Sequence, residues 1–373
     1  MKRVWLVLAL ILGLQLTYLP AQALDAKIIR LVTEPNRNYS GFFYNDDLTL
    51  RLAPTGDLGK LVFYPVKRPR IWVVDTAFID DVIAMKDEYK IGLETGEKID
   101  GVGSDVATNW LNQFSFISSS DQVVVLPYGN PAYPLLKNYA PGELNYYYFH
   151  ANKRLTTFLA RPVISDKLGQ YSQGNLKSTN DLRIDYAQNR RTVTTLSRVV
   201  DAPELTTLRL QLARLLNPNI NNEFRARLLK SAEKEVIRSD RKLKIVSGRY
   251  RLTSASDKIP MTLVNDFSTP VKVTLELLPR NSRVQVAGIT DVSIAANSKM
   301  QLLLPVNVIT PGTVTVAARL TDAKGVAITK YSQLNLNLSV VDSRVAWFTS
   351  SAAVLLFAAA TLQTVRRVRR SRK

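Results

Sequence analysis

The sequence predicts an α+β multidomain chain: an α/β domain, a helical connector, an immunoglobulin-like β-sandwich and one C-terminal transmembrane helix. Three observations predict it. Two short unbroken apolar runs, residues 71–74 and 123–126, frame segments with helical apolar spacing. The apolar period changes to two over residues 243–342. Residues 345–365 carry no charge and are followed at once by Arg366, Arg367, Arg369, Arg370, Arg372 and Lys373.

In order, Lys2 and Arg3 precede an apolar run at 4–14 and a small-x-small site, Ala21-Gln22-Ala23. This pattern predicts a signal peptide over residues 1–23. Residues 24–69 form a mixed segment with one strand at 28–33; nothing is assigned to 47–61. Residues 70–162 form the α/β domain. Ile71, Trp72, Val73 and Val74 make a buried parallel strand, Asp75 closes it, and Phe78, Ile79, Val82, Ile83 and Met85 follow at helical spacing. Val106, Trp110 and Leu111 mark a second helix. Val123 to Leu126 make a second strand, ending in the turn Pro127-Tyr128-Gly129-Asn130-Pro131. In such sheets ligands bind at the carboxyl ends of the strands, where Asp75 and the Tyr128 loop lie.

Residues 163–241 form a polar and helical connector, read as irregular or weakly helical up to about residue 200. Beyond that, Leu205, Leu208, Leu212, Leu215 and Leu216 stripe one helix, and Phe224, Leu228, Ala232 and Val236 another. The opposite face carries Arg225, Arg227, Lys230, Lys234 and Arg238, which fits either an ordinary packed helix or a membrane-surface helix. The sandwich occupies residues 242–342. Val271, Val273, Leu275 and Leu277 alternate with Lys272, Thr274 and Glu276, and Leu334, Leu336, Leu338 and Val340 alternate with polar residues. Residues 345–365 suffice to cross the ~30 Å hydrocarbon core, and the basic tail, 366–373, is then cytoplasmic. Signal and span together predict a single-pass cell-membrane protein with an extracellular ectodomain.

The 373 residues contain no cysteine, one histidine and a net charge of +19. Without cysteine there is no disulfide, thiol catalysis or thiolate metal site. Much of the basic excess lies between Arg183 and Arg251. Outside a membrane it points to acidic polymers or lipid headgroups, or to a solvated basic surface, and not to nucleic acid.

Several motifs resemble an uncharacterised actinobacterial family of secreted single-span membrane proteins, usually encoded beside a lipid II flippase homologue. They are Ile259-Pro260-x-Thr262-x-Val264-Asn265-Asp266, Pro270-Val271-x-Val273, the Asp322-x-x-Gly325 turn, the span with its arginine tail, Trp72-Val73-Val74-Asp75, and Leu126 to Pro131. The family's central segment is reminiscent of polysaccharide deacetylases and related barrel hydrolases. Its members are generally longer, so the resemblance implies only a partial, deacetylase/barrel-like α/β domain here.

Chemistry is sparsely signalled. A deacetylase metal site needs an Asp and two His, and only His150 is present. There is no Gly-x-Ser-x-Gly elbow and no phosphate-binding glycine loop. No catalytic residue, metal ligand or cofactor is expected. Asp75, Tyr128 and Asn130 are the candidate ligand-binding residues, lining a sugar cleft inherited from a hydrolase ancestor, with Tyr146 to Phe149 as stacking surface. The reading preferred on the residues alone is that Asp75 caps a helix and the tyrosines pack. The resulting expectation is a non-enzymatic, membrane-anchored cell-envelope protein. It would assist export or assembly of peptidoglycan precursors, through contacts with the flippase or cell-wall glycan. The alternatives are a hydrolase using a carboxylate pair, and helices at 203–240 docked on anionic lipid.

Overall fold

The computed structural model describes residues 26–93, 96–177, 179–339 and 343–370. The predicted signal peptide lies outside them. The chain divides into two compact units. One holds the described residues up to Arg190 together with Thr206–Val236, and the other holds Arg191–Leu205 and the described residues from Ile237 onward.

The first unit is built on a parallel sheet. Strand β1 (Lys27–Leu31) is followed by helices α1 (Asp47–Leu52) and α2 (Asp57–Phe63), then by β2 (Arg70–Val74) and α3 (Thr76–Lys86). A small hairpin of β3 (Lys90–Gly92) and β4 (Lys98–Asp100) leads to α4 (Ser104–Ser118) and β5 (Gln122–Val125). Helices α5 (Tyr133–Tyr139) and α6 (Pro141–Leu159) precede β6 (Ile164–Ser165). The sheet order is β1-β2-β5-β6, every pair parallel and the two ends unpaired. Trp72, Val73, Val74, Val124 and Val125 are at most 1% exposed, which is why these strands read as unbroken apolar runs. Trp72, Trp110 and Phe114 pack ring against ring beneath the sheet. Burying each such side chain contributes roughly 1.5–3 kcal/mol.

Of the two readings left open up to about residue 200, irregular or weakly helical, helix α7 (Asn180–Leu196) favours the second. Leu182, Tyr186, Val193 and Leu196 form a buried stripe at helical spacing, hidden in the sequence by the polar residues between them. Helix α8 (Pro203–Leu212) continues into a 3-10 turn (Ala213–Leu216), and α9 (Asn222–Asp240) follows. Phe224, Leu228, Ala232 and Val236 are all buried. The apolar stripe of α9 therefore faces protein, and docking of these helices on lipid is withdrawn. Helix α6 also absorbs the tyrosine cluster. Tyr147 and Tyr148 point inward and Phe149 stays exposed, because successive helical residues diverge by about 100°.

The second unit is a two-sheet sandwich. Strands β7 (Leu243–Ile245), β8 (Gly248–Leu252), β9 (Ser256–Asn265), β10 (Val271–Pro279), β11 (Val284–Val286), β12 (Ile289–Ile294), β13 (Ser298–Val308), β14 (Gly312–Thr321) and β15 (Ser332–Leu338) form two sheets. Their orders are β12-β10-β14-β15-β8 and β11-β13-β9-β7. Alternate residues, among them Val271, Val273, Leu275, Leu334, Leu336 and Leu338, are buried, while their neighbours face outward.

The predicted transmembrane helix is corrected. A helix, α10 (Ser343–Arg370), does form. Yet among the described residues no helix is long and apolar enough to cross a membrane. Its charge-free stretch includes Ser350, Ser351, Thr361, Gln363 and Thr364 among the apolar residues. Polar residues dilute that run: the Thr361 hydroxyl bonds back to the carbonyls of Phe357 and Ala358, and Thr364 to Ala360. Single-pass topology, cell-membrane location and a cytoplasmic tail fall with the span.

Candidate functional sites

At the carboxyl ends of the parallel strands, Asp75 is 2% exposed and caps α3, its Oδ1 accepting from the Ala77 amide at 2.9 Å. The same oxygen accepts from the Gly129 amide at 2.8 Å, tying the end of β2 to the loop after β5. That loop turns sharply, with Gly129 at φ 79° and Asn130 at φ 46°. Gly129 is required, since a Cβ there would stand 2.9 Å from Arg214 Cγ. Tyr128 and Asn130 are 1% and 3% exposed. The Tyr128 hydroxyl donates to Asp80 Oδ2 at 2.9 Å, and Arg154 pairs with the same oxygen. The structure thus brings Asp75 and the Tyr128 loop into direct contact, within the interior.

The residue that organises this edge is one that sequence reading missed. Arg214, in the 3-10 turn after α8, is 2% exposed. Its Nη2 donates to Asp81 Oδ1 at 2.8 Å and to the Ala77 carbonyl at 2.9 Å. Its guanidinium lies 5.8 Å from the centre of the Tyr128 ring. Arg37 grips Asp81 Oδ1 from the other side at 2.9 Å. Burial alone would favour a neutral Asp81 and a weakened Arg214. The mutual charge reverses both: Arg214 is held well above its usual range, and Arg37 and Arg214 hold the Asp81 carboxyl low. No local pattern marks Arg214, because its leucine-rich surroundings read as a simple stripe.

Nε and Nη1 of Arg214 have no hydrogen-bond partner. The space beside them, bounded by Thr33, Glu34, Asp75, Gly129 and Asn217, is about 10 Å³, room for one water molecule and no more. A carboxylate-pair hydrolase needs an open cleft between two free carboxylates. Here Asp81 is bound by two arginines and Asp80 by Arg154 and Tyr128, so that alternative is corrected. Among the described residues no group of three or more His, Cys, Asp or Glu is placed to hold a metal ion.

Asp75 has a pH consequence. Burial pushes its carboxyl up to about 7, against the amides of Ala77 and Gly129 and the Arg214 charge, which pull it down. An unfolded aspartate titrates near ~3.9. Between these values the folded chain binds the extra proton, so the Asp75 contribution to stability falls as pH rises from about 4 to about 7. The full change is up to about 4 kcal/mol, at about 1.4 kcal/mol per tenfold in proton affinity. Asp75→Asn preserves an acceptor for both amides and removes the titration. Urea unfolding between pH 4.5 and 7.5 should show a flattened slope for this variant, whereas an unchanged slope would assign the dependence elsewhere.

A second site lies in the sandwich unit. A groove of about 690 Å³ is bounded by β7, the start of β8 and the start of β15, with Asp240 and Arg241 at the end of α9. This volume is within the ~300–1,000 Å³ of ligand pockets. Arg241, Lys244, Arg249 and Lys330 line it, all exposed, beside the half-exposed ring of Tyr331. Lys244 makes only a long 3.9 Å pair with Asp266. Arg241, Arg249 and Lys330 make no ion pair with any described residue. The cluster was not singled out from sequence, since Lys330 lies about eighty residues beyond Arg241, Lys244 and Arg249.

A family model described as a Family of unknown function (DUF6049) matches residues 177–373. The match carries no actinobacterial source and no flippase, so those expectations, and with them the cell-envelope and peptidoglycan role, are withdrawn. No curated protein matches the chain. Among solved structures, WR4, a C. elegans MSP family member, is 10% identical; 26% of this chain covers 97% of it at a TM-score of 0.20. A PapD-like domain of human CEP192 is 12% identical, with 27% of this chain covering 87% of it at 0.21. The E. coli chaperone DraB is 12% identical, with 27% covering 57% at 0.20. Likenesses at these scores carry no argument.

Proposed function

We propose a binding role, without catalysis, for this chain, which belongs to the Family of unknown function (DUF6049) and takes no activity from it. The sandwich unit holds an acidic ligand in its groove. The observation that carries this reading is the set of three cations, Arg241, Arg249 and Lys330, that surround a 690 Å³ hollow and make no ion pair with a described residue, against one carboxylate, Asp240, in the same lining. Such like charges repel one another, and an anionic ligand relieves that repulsion while gaining charge-assisted hydrogen bonds. In the other unit, Asp75, Tyr128 and Asn130 serve to keep the strand-end edge shut around Arg214.

The test is binding of oligoglutamate to the full chain and to the triple variant R241E/R249E/K330E. All three side chains are exposed, so reversal leaves the core intact. The expected result is at least a tenfold loss of affinity, and wild-type binding that weakens steadily as salt rises. Equal binding by both proteins would refute the reading.

A further inference from the structure

Resting on that reading, we propose that the acidic ligand is an extended polypeptide segment that adds to the free edge of β8 as a further strand. The groove is lined by β7, which ends one sheet, and by the paired starts of β8 and β15, of which β8 ends the other sheet. The free edges differ in what they offer. β7 and β11 are three residues each. β12 carries Asp291 at φ 58° and pairs with β10 through a register shift. Short or irregular edges of this kind resist strand addition. β8 has five residues, contains no proline, and pairs with β15 residue by residue from Gly248 to Leu252 without a shift. One side of its backbone therefore presents a regular row of donors and acceptors to a partner.

The side chains of β8 select among partners. Arg249 and Arg251 are both exposed, and Lys244 and Lys330 stand close by in the groove lining. Two copies of β8 laid edge to edge would bring four arginines together, so self-pairing is opposed by charge. A strand bearing glutamate or aspartate at alternate positions places its carboxylates against Arg249 and Arg251, while its backbone completes the ladder. Backbone bonding supplies the requirement for an extended polypeptide, and the arginines supply the requirement for acidity. A flexible polyanion without peptide N–H and C=O groups satisfies only the second.

The experiment uses the full chain and three probes: an alternating Glu-Val octapeptide, the same peptide N-methylated at every second backbone nitrogen in either register, and inorganic polyphosphate. The expected result is salt-sensitive binding of the parent peptide, at least tenfold weaker binding of the N-methylated peptide in one register, and slowed amide exchange over Gly248–Leu252 in the complex. R249E/R251E should abolish peptide binding and leave the circular dichroism unchanged. Equal affinity for parent and both N-methylated peptides, or polyphosphate binding that outcompetes the parent peptide with no exchange protection in β8, would overturn strand addition while leaving the acidic groove intact. Failure of all three probes to bind would overturn both.

Discussion

Arg214→Met is expected to destabilise the α/β unit by about 3–5 kcal/mol, the cost of breaking a buried ion pair from one side. Asp81 is 1% exposed and would keep only Arg37 as a cationic partner. The Ala77 carbonyl would lose its Nη2 donor, and Tyr128 the cation beside its ring. Methionine replaces much of the aliphatic stem, so the loss reports charge more than volume. Trp72 and Trp110, both fully buried in this unit, make tryptophan fluorescence in urea a suitable measure. The double variant D81N/R214M removes both charges and should recover part of the loss, because a neutral amide is far cheaper to bury than a lone carboxylate. A loss under about 1 kcal/mol for Arg214→Met, or a double variant worse than the single, would mean that Arg214 does not hold this edge.

Asn265→Leu should cost the sandwich unit about 3 kcal/mol, with amide exchange accelerated across β9 and β13. Asn265 is fully buried, and its side chain is a four-way junction. Nδ2 donates to the carbonyls of Thr269 and Ala295 at 2.9 Å and approaches that of Ile294 at 3.4 Å, while Oδ1 accepts from the Phe267 amide at 3.0 Å. Leucine has nearly the right volume and satisfies none of these groups, and each buried backbone group left unpaired costs about 1–3 kcal/mol. Asn265→Asp keeps the acceptor for Phe267 and turns a charge toward three carbonyl oxygens, so it should be at least as damaging. Urea unfolding would decide the matter; wild-type stability in either variant would show that the loops around 265–269 and 294–298 hold themselves.

The junction also accounts for a motif. Val264-Asn265-Asp266 stands out in the sequence as a short string after an apolar strand, with no reason attached. In the fold, Asn265 closes the β9–β10 turn and binds the loop after β12, two chain segments about thirty residues apart. Asp75 shows the same limit. Its place after an unbroken apolar run marks it as a helix cap, and it does cap α3. That its carboxyl also seals the Gly129 loop depends on β2 and β5 being neighbours.

The sequence by itself determined the local periods. Unbroken valine and isoleucine runs became parallel strands, leucine and phenylalanine stripes became the buried faces of α8 and α9, and alternation became the two sheets. These depend on apolar spacing within a dozen residues, which the chain displays openly. It also marked a terminal helix at 345–365, which the fold extends to Ser343–Arg370, though the expectation that this helix spans a membrane was wrong. Tertiary structure alone decided where charge is used. Arg37, Asp81 and Arg214 lie far apart in the chain and make one buried ion pair network. Arg241, Arg249 and Lys330, with Lys244, gather around one groove whose lining holds a single carboxylate, Asp240. Electrostatic energy depends on distance in space and on exclusion of water, and neither is a property of neighbouring letters.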